Sequence, residues 1–87
     1  MTEQPEHRLK RLRMRSMRRG IKEMDIILTR YADARLGTLT PGELDLYDAL
    51  LSENDQDLYQ WVTGQVGAPE RLSGIVGEIT EIACQPN

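Results

Sequence analysis

The sequence predicts an all-α fold, a compact single-domain bundle of about five short helices. Apolar residues recur at intervals of three and four along several segments, which is the spacing of one face of an α-helix. No segment shows the sustained alternation of apolar and polar residues that indicates a strand. The 87 residues are the length of one domain, so we expect residues 1–87 to fold together, with residues 1–6 disordered and residues 84–87 frayed.

The first two predicted helices are separated by Gly20, which is expected to break or bend the chain. The first helix covers residues 7–17 and is strongly basic. The second covers residues 21–35 and is followed by Gly37, a residue type that commonly ends a helix. The apolar stripe predicted to bury the second helix contains Ile21, Met24, Ile27, Leu28 and Tyr31.

The clearest helix start in the sequence lies at residues 40–43, Thr-Pro-Gly-Glu. Thr40 and Glu43 can each accept a hydrogen bond from the backbone of the other, which is a capping box. Pro41 is favoured at the first helical position because its missing N–H has no partner to lose there. The predicted buried face of this third helix contains Leu44, Tyr47, Leu50 and Leu51.

Two further helices complete the predicted bundle. Asn54 or Asp55 can cap the fourth helix, and Pro69 opens the fifth. Their predicted inward faces contain Leu58, Trp61 and Val62 in the fourth helix and Leu72, Ile75, Val76, Ile79, Ile82 and Ala83 in the fifth. Gly74 and Gly77 lie inside the fifth helix, where each costs about 1 kcal/mol of helix propensity. Close approach of another backbone would offset that cost.

Charge is distributed unevenly along the chain. Residues 1–22 contain eight of the eleven basic residues and two of the fourteen acidic residues, although the net charge is -3. Such asymmetry usually marks a surface that binds a partner. A nucleic acid is not favoured as that partner, because no aromatic residue lies near the basic residues to stack on bases and the whole chain is acidic.

Two features of the sequence bear on its compartment. Cys84 is the only cysteine, so no internal disulfide can form, which suits a reducing environment. No stretch approaches the roughly 20 apolar residues that span a bilayer, and no apolar run follows the basic N-terminal residues as in a secretory signal. We therefore expect a soluble protein of a reducing compartment that does not insert into a membrane. Since the sequence shows no targeting peptide, the expected location is the bacterial cytoplasm.

The residues that could carry catalysis or bind a metal are few and scattered. His7 is the only histidine and lies near one end of the chain, whereas Cys84 lies near the other. Glu53, Asp55 and Asp57 lack the glycine and the distant glutamate of a calcium loop, so we interpret them as helix-capping and solvated residues. The sequence also lacks phosphate-binding glycine motifs. We predict a protein that binds a partner, with no catalytic, cofactor-binding or metal-binding residues of its own.

One short polar segment, residues 18–23, joins the first two helices. Gly20 would let the backbone turn tightly or approach another molecule closely. Arg19 offers a planar set of donors that suits a carboxylate or phosphate. Glu23 follows four residues later and could pair with Arg19 across a helical turn. From spacing alone a plain helix–helix corner is favoured, with a surface ion pair worth under ~1 kcal/mol.

Several segments of the chain follow one another in the order of a known family. Residues 19–23, Arg-Gly-Ile-Lys-Glu, form an RGxxE motif, and residues 40–43 form the turn before the third helix. Residues 44–51 read L-xx-Y-D-x-LL, and residues 55–61 read D-x-DL-xx-W. Asn54, just before the second of these motifs, stands where an acidic residue is common in that family. In this register the chain resembles the succinate dehydrogenase assembly factor 2 family, the bacterial and mitochondrial flavinators, over residues 8–82.

This resemblance implies a helper protein. It would bind the flavoprotein subunit of succinate dehydrogenase, and also that of fumarate reductase, and promote covalent attachment of FAD. The bond, between a histidine of that subunit and the 8α carbon of the flavin, would form in the subunit's own active site. The chain itself would bind no cofactor stably. The alternative is a small helical interaction module, or an antitoxin-like regulator, with another partner.

The resemblance also implies which residues bind the partner. We expect a monomer that uses the RGxxE motif and its flanks for this contact. The predicted partner-binding residues are Arg18, Arg19, Gly20, Glu23, Met24 and Asp25.

Overall fold

Five α-helices joined by short turns make up residues 4–84, the part of the chain that the computed structural model describes. A short 3-10 helix follows the second of them, and the described residues contain no strand. The prediction of an all-α bundle of five short helices is therefore confirmed. The helices are α1 (Pro5–Arg15), α2 (Lys22–Arg35), the 3-10 helix (Leu36–Thr38), α3 (Pro41–Leu51), α4 (Asp55–Val62) and α5 (Glu70–Ala83).

The first helix begins earlier and ends earlier than the sequence predicts. Helix α1 starts at Pro5, whose fixed φ suits the first helical turn, so residues 5 and 6 are helical and not disordered. It ends at Arg15, and Ser16 is its C-cap. The sequence predicts disorder for residues 1–6 and fraying for residues 84–87, and of these residues 1–3 and 85–87 lie outside the described part of the chain. Cys84 is the C-cap of α5.

The start of α3 follows the predicted capping box. The backbone N–H of Glu43 donates to Thr40 Oγ1 at 3.2 Å, and the backbone N–H of Thr40 donates to Glu43 Oε1 at 2.8 Å. Helix α4 is capped by Asn54, whose side chain accepts from the backbone N–H of Gln56 at 2.8 Å. These local hydrogen bonds fix where α3 and α4 begin.

The apolar stripes of the helices meet in one core. Helix α2 packs along α5 and against α4, and α3 also packs on α5. Most residues of the predicted stripes are buried. Six of them are only partly buried: Ile21, Ile27, Leu44, Trp61, Ile75 and Ile82. The core residues are Leu12, Met24, Leu28, Tyr31, Ala32, Leu36, Tyr47, Leu50, Leu51, Leu58, Val62, Leu72, Val76, Ile79 and Ala83.

The two glycines inside α5 face open space. A Cβ atom added at Gly74 or Gly77 would meet no atom of the described chain within 4 Å. No backbone within residues 4–84 approaches them, so nothing in this part of the chain offsets their low helix propensity. None of the helices in this range is long and apolar enough to cross a membrane.

Candidate partner-binding site

The predicted site forms a corner between α1 and α2, and Arg18 supplies its sharp turn. Arg18 has φ +54°, in the left-handed region, whereas Gly20 has no positive φ. A non-glycine residue in this conformation costs about 1–2 kcal/mol. The backbone N–H of Arg18 donates to Asp25 Oδ2 at 2.9 Å, which helps to hold the turn. Gly20 lies in the bend between the two helices, as expected, but the left-handed residue of the turn is Arg18.

Arg19 is paired inside the chain, but with Asp55 and not with Glu23. Arg19 Nε and Nη2 donate to Asp55 Oδ1 at 2.9 and 2.6 Å, and each of the two side chains is 12% exposed. The predicted pair with Glu23 requires both residues on one helical face. Because α2 begins only at Lys22, Arg19 lies outside the helix and its side chain turns back toward the bundle.

Gly20 lies on the surface of the corner, next to the same carboxylate. Its backbone N–H donates to Asp55 Oδ2 at 2.6 Å. A Cβ atom added at Gly20 would lie 3.4 Å from that oxygen, which is an ordinary van der Waals contact. The fold therefore accommodates a small side chain at this position. Close approach of Gly20 to another molecule stays a prediction.

The remaining predicted partner-binding residues divide into exposed and internal ones. Arg18 and Glu23 are exposed beside Gly20. Met24 is 0% exposed because it belongs to the inward stripe of α2, so its side chain has no surface to offer a partner. Asp25 is half-buried and accepts hydrogen bonds from the Arg18 backbone and, at 3.5 Å, from Thr29 Oγ1. Among the predicted partner-binding residues, Arg18, Gly20 and Glu23 are thus the exposed ones.

Asp55 is the member of this site that the sequence reasoning missed. It was interpreted as a capping or solvated residue, yet it is nearly buried against Arg19. The two are separated by 36 residues, so no local spacing connects them. The only signal in the sequence was that both lie in segments resembling one family. A concavity of about 550 Å³ is lined by Arg19, Gly20, Ile21, Glu53, Asn54, Asp55 and Gln56.

The basic residues of α1 are mostly neutralised by acidic residues of the same chain. Asp48 forms ion pairs with Arg11 and Arg15. The hydrogen bond from Arg11, together with the positive charges of both arginines, holds the pKa of Asp48 below its usual range. The basic surface that the sequence predicts for binding a partner therefore carries less net charge than the count of arginines suggests. The ion pairs are Arg8–Asp45, Arg11–Asp48, Arg13–Asp33 and Arg15–Asp48.

A buried pair of hydroxyl groups anchors the end of α1 where the corner begins. Ser16 Oγ and the Tyr47 hydroxyl lie 2.5 Å apart, and both residues are 0% exposed. Ser16 Oγ also donates to the backbone carbonyl of Leu12 at 2.8 Å. Because Ser16 has one proton and gives it to that carbonyl, Tyr47 donates to Ser16. Ser16, the first residue after α1, thus attaches the corner to Tyr47 of α3.

The Cys84 thiol is not activated as a nucleophile. Burial raises the pKa of the Cys84 thiol, which favours the protonated form over the reactive thiolate. No group of three or more histidine, cysteine, aspartate or glutamate side chains within residues 4–84 is arranged to hold a metal ion.

Comparison with known proteins gives consistent results. The chain is similar to proteins named succinate dehydrogenase assembly factor 2, mitochondrial. The protein from Candida glabrata is 51% identical over 53 residues, 61% of this chain and 35% of the relative. The Yarrowia lipolytica protein is 44% identical over an 86-residue alignment, 93% of this chain and 59% of the relative. The Penicillium rubens protein is 43% identical over 63 residues, 72% of this chain and 20% of the relative.

These names correct one prediction. The relatives are named as mitochondrial proteins, and this contradicts the prediction of a bacterial cytoplasmic location. The chain spans between 20% and 59% of the length of these three relatives.

The family itself is established by a match along most of the chain. A family model described as flavinator of succinate dehydrogenase matches residues 10–83. The match includes the corner, Asp55 and the helices that pack around them. The chain belongs to the family of flavinators of succinate dehydrogenase.

Proposed function

We propose that this chain binds the flavoprotein subunit of succinate dehydrogenase and promotes covalent attachment of FAD to it. The observation that carries the proposal is the family match over residues 10–83, which extends through the corner and its supporting helices. The name of the curated relatives, succinate dehydrogenase assembly factor 2, agrees with this role.

The corner between α1 and α2 is the proposed contact with that subunit. Gly20 is exposed and lacks a side chain, so a partner backbone can approach it closely. The exposed carboxylate of Glu23 can accept hydrogen bonds from the partner, and the exposed Arg18 can donate them. Arg19, Met24 and Asp25 support the corner from within.

In this proposal the chain is an assembly factor and not the catalyst of flavin attachment. The bond to FAD forms in the active site of the flavoprotein subunit, and the chain binds no cofactor stably. Its contribution is to hold groups of that subunit in a reactive orientation, which can lower a barrier without supplying an acid, a base or a nucleophile. We further propose that it acts as a monomer, that it also serves fumarate reductase, and that it binds no nucleic acid.

The proposal is tested by expressing the flavoprotein subunit with this chain in a host that lacks its own factor. Covalent flavin is read as fluorescence of the denatured subunit on a gel. Gly20→Arg is expected to abolish the signal while leaving the fold intact, because Gly20 is exposed and a Cβ there meets only Asp55 Oδ2, at 3.4 Å. The matched control is Gly67→Arg, since Gly67 is also exposed and has open space around it in the loop before α5.

Two outcomes would contradict the proposal. Equal fluorescence with and without the chain would favour the alternative of a helical interaction module with another partner. Normal fluorescence with a well-folded Gly20→Arg chain would remove the corner from the contact.

A further inference from the structure

The ends of three helices meet at the side chain of Arg19. Its Nη1 donates to the backbone carbonyl of Arg15, the last residue of α1, at 2.9 Å. Its Nη2 donates to the carbonyl of Leu51, the last residue of α3, at 3.1 Å. Its Nε and Nη2 donate to Asp55 Oδ1, and Asp55 is the first residue of α4. Most of its donors are therefore used within the chain.

The two oxygens of Asp55 divide between the side chain and the backbone of the corner. Oδ1 accepts from the guanidinium of Arg19 at 2.9 and 2.6 Å, and Oδ2 accepts from the backbone N–H of Gly20 at 2.6 Å. Hydrogen bonds between ionised partners are about twice as strong as neutral ones. At 12% exposure the Arg19–Asp55 pair is also screened less by salt than a surface pair. One carboxylate thus fixes two consecutive residues of the corner.

The residues that a partner can reach at the corner are not the ones that hold it together. Arg19 is 12% exposed, so its contacts with a partner would require the internal hydrogen bonds to break. Gly20 and Glu23 are exposed, and their placement depends on where Arg19 and the Gly20 amide are held.

We propose that Asp55 is a positioning residue for partner recognition, and that Arg19 acts with it inside the chain instead of binding the partner. By holding Arg19 and the Gly20 amide, Asp55 keeps the corner in the shape that the flavoprotein subunit recognises. The inference rests on the proposed function. It adds a residue 36 positions from Arg19 to the site and gives Arg19 a different role from the predicted one.

The test compares Asp55→Ala with Asp57→Ala, a matched control that removes the same charge from the first turn of the same helix at an exposed position. Association with the flavoprotein subunit is measured by titration calorimetry. Asp55→Ala is expected to weaken association about tenfold or more, because fewer chains hold the competent corner once charged hydrogen bonds are lost. Asp57→Ala is expected to stay within about twofold. Asp55→Asn keeps one acceptor oxygen, for Gly20 or for Arg19, and loses the other acceptor and the charge. It should fall between the two alanine variants and serves if Asp55→Ala fails to fold.

Hydrogen exchange provides a readout that a loss of overall stability would not give. The Gly20 amide should exchange faster in Asp55→Ala, while amides of α2 and α5 in the core keep their protection. The double variant Arg19→Ala with Asp55→Ala should bind the flavoprotein subunit within about twofold of the affinity of the single variant that binds it less tightly. The two losses should not add, because the two residues act as one unit.

Three results would overturn the inference. The first is wild-type affinity in a folded Asp55→Ala chain, and the second is unchanged exchange of its Gly20 amide. The third is additive losses in the double variant, which would mean that Arg19 contacts the partner directly. If the unaltered chain does not associate with the flavoprotein subunit, the proposed function fails and this inference fails with it. Association by the unaltered chain that Asp55→Ala leaves intact refutes the inference alone.

Discussion

Replacing Ser16 with alanine removes the acceptor of a fully buried hydrogen bond and should destabilise the fold. In the native chain Tyr47 donates to Ser16 Oγ at 2.5 Å, and Ser16 donates to the carbonyl of Leu12 at 2.8 Å. Both side chains are 0% exposed, so water cannot replace the lost partner of Tyr47. Within residues 4–84 every buried side-chain polar atom has a partner, and Ser16→Ala would create an exception.

The expected magnitudes differ between the two sides of this pair. Ser16→Ala leaves a buried hydroxyl donor unsatisfied, which costs about 2 kcal/mol. Tyr47→Phe removes the donor itself and leaves Ser16 bonded to Leu12, which costs about 1 kcal/mol. The double variant replaces both hydroxyl groups by apolar ones and should be less destabilised than Ser16→Ala alone, because nothing is left unpaired.

The assay is thermal and urea unfolding of the four proteins, followed by circular dichroism. A loss of 2 kcal/mol corresponds to a fall in Tm of about 8–16 °C for a domain of this size. Strictly additive losses, or a Ser16→Ala chain no less stable than Tyr47→Phe, would refute the proposed direction of the hydrogen bonds. Since Ser16 is the first residue after α1, this pair also fixes where the corner begins.

Three further predictions concern stability. Gly74→Ala and Gly77→Ala should each raise the free energy of unfolding by about 0.5–1 kcal/mol, because each added methyl meets open space in α5; a lower Tm would show that the reasoning is wrong. Arg18→Gly should relieve the strain of the left-handed backbone but give the unfolded chain more freedom, for a net rise of about 0.5 kcal/mol in the free energy of unfolding, measured with urea. A fall in this free energy would mean that Arg18 does not have a left-handed backbone in solution. Asp48→Asn should cost about 1 kcal/mol at pH 7. The lowered pKa of Asp48 means that its contribution is present above the ordinary aspartate pKa of about 4 and is lost as the pH falls through the lower native value. The urea midpoint of Asp48→Asn should therefore fall less with decreasing pH than that of the unaltered chain. The same dependence on pH in both proteins would show that Asp48 does not contribute to stability in this way.

The parts of the fold that local sequence determines could be predicted well. The capping box at Thr40 and Glu43 involves residues three apart, and both hydrogen bonds form as expected. The apolar stripe of α2 follows the helical repeat, so Leu28 and Tyr31 are buried as the spacing predicts. Such features depend on neighbouring residues only and can be read without knowing the tertiary fold.

The structure of the corner could not be predicted, because it depends on contacts between distant parts of the chain. Arg19 pairs with Asp55 and not with Glu23 because Arg19 lies before the first turn of α2. There its side chain reaches the last residue of α3 and the first residue of α4. The sequence also gives no sign of the left-handed backbone at Arg18. A glycine tolerates that conformation best, but it occurs two residues before Gly20, where the backbone N–H of Arg18 donates to the Asp25 carboxylate.

The basic first helix shows the same limit. A cluster of arginines in sequence suggested a charged surface for a partner. In the folded chain much of that charge faces acidic residues of α3, at Asp45 and Asp48. Their separation in sequence hides this pairing, so charge counts along the chain overestimate the charge that a partner meets.

The central claim is that this chain promotes covalent attachment of FAD to the flavoprotein subunit of succinate dehydrogenase. The most direct test is intact-mass spectrometry of the purified apo subunit after incubation with FAD, with and without the purified chain. The chain is expected to increase markedly the share of subunit whose mass, measured under denaturing conditions, has risen by one FAD. An equal share of covalently modified subunit in both samples, from a subunit shown to bind FAD, would contradict the claim.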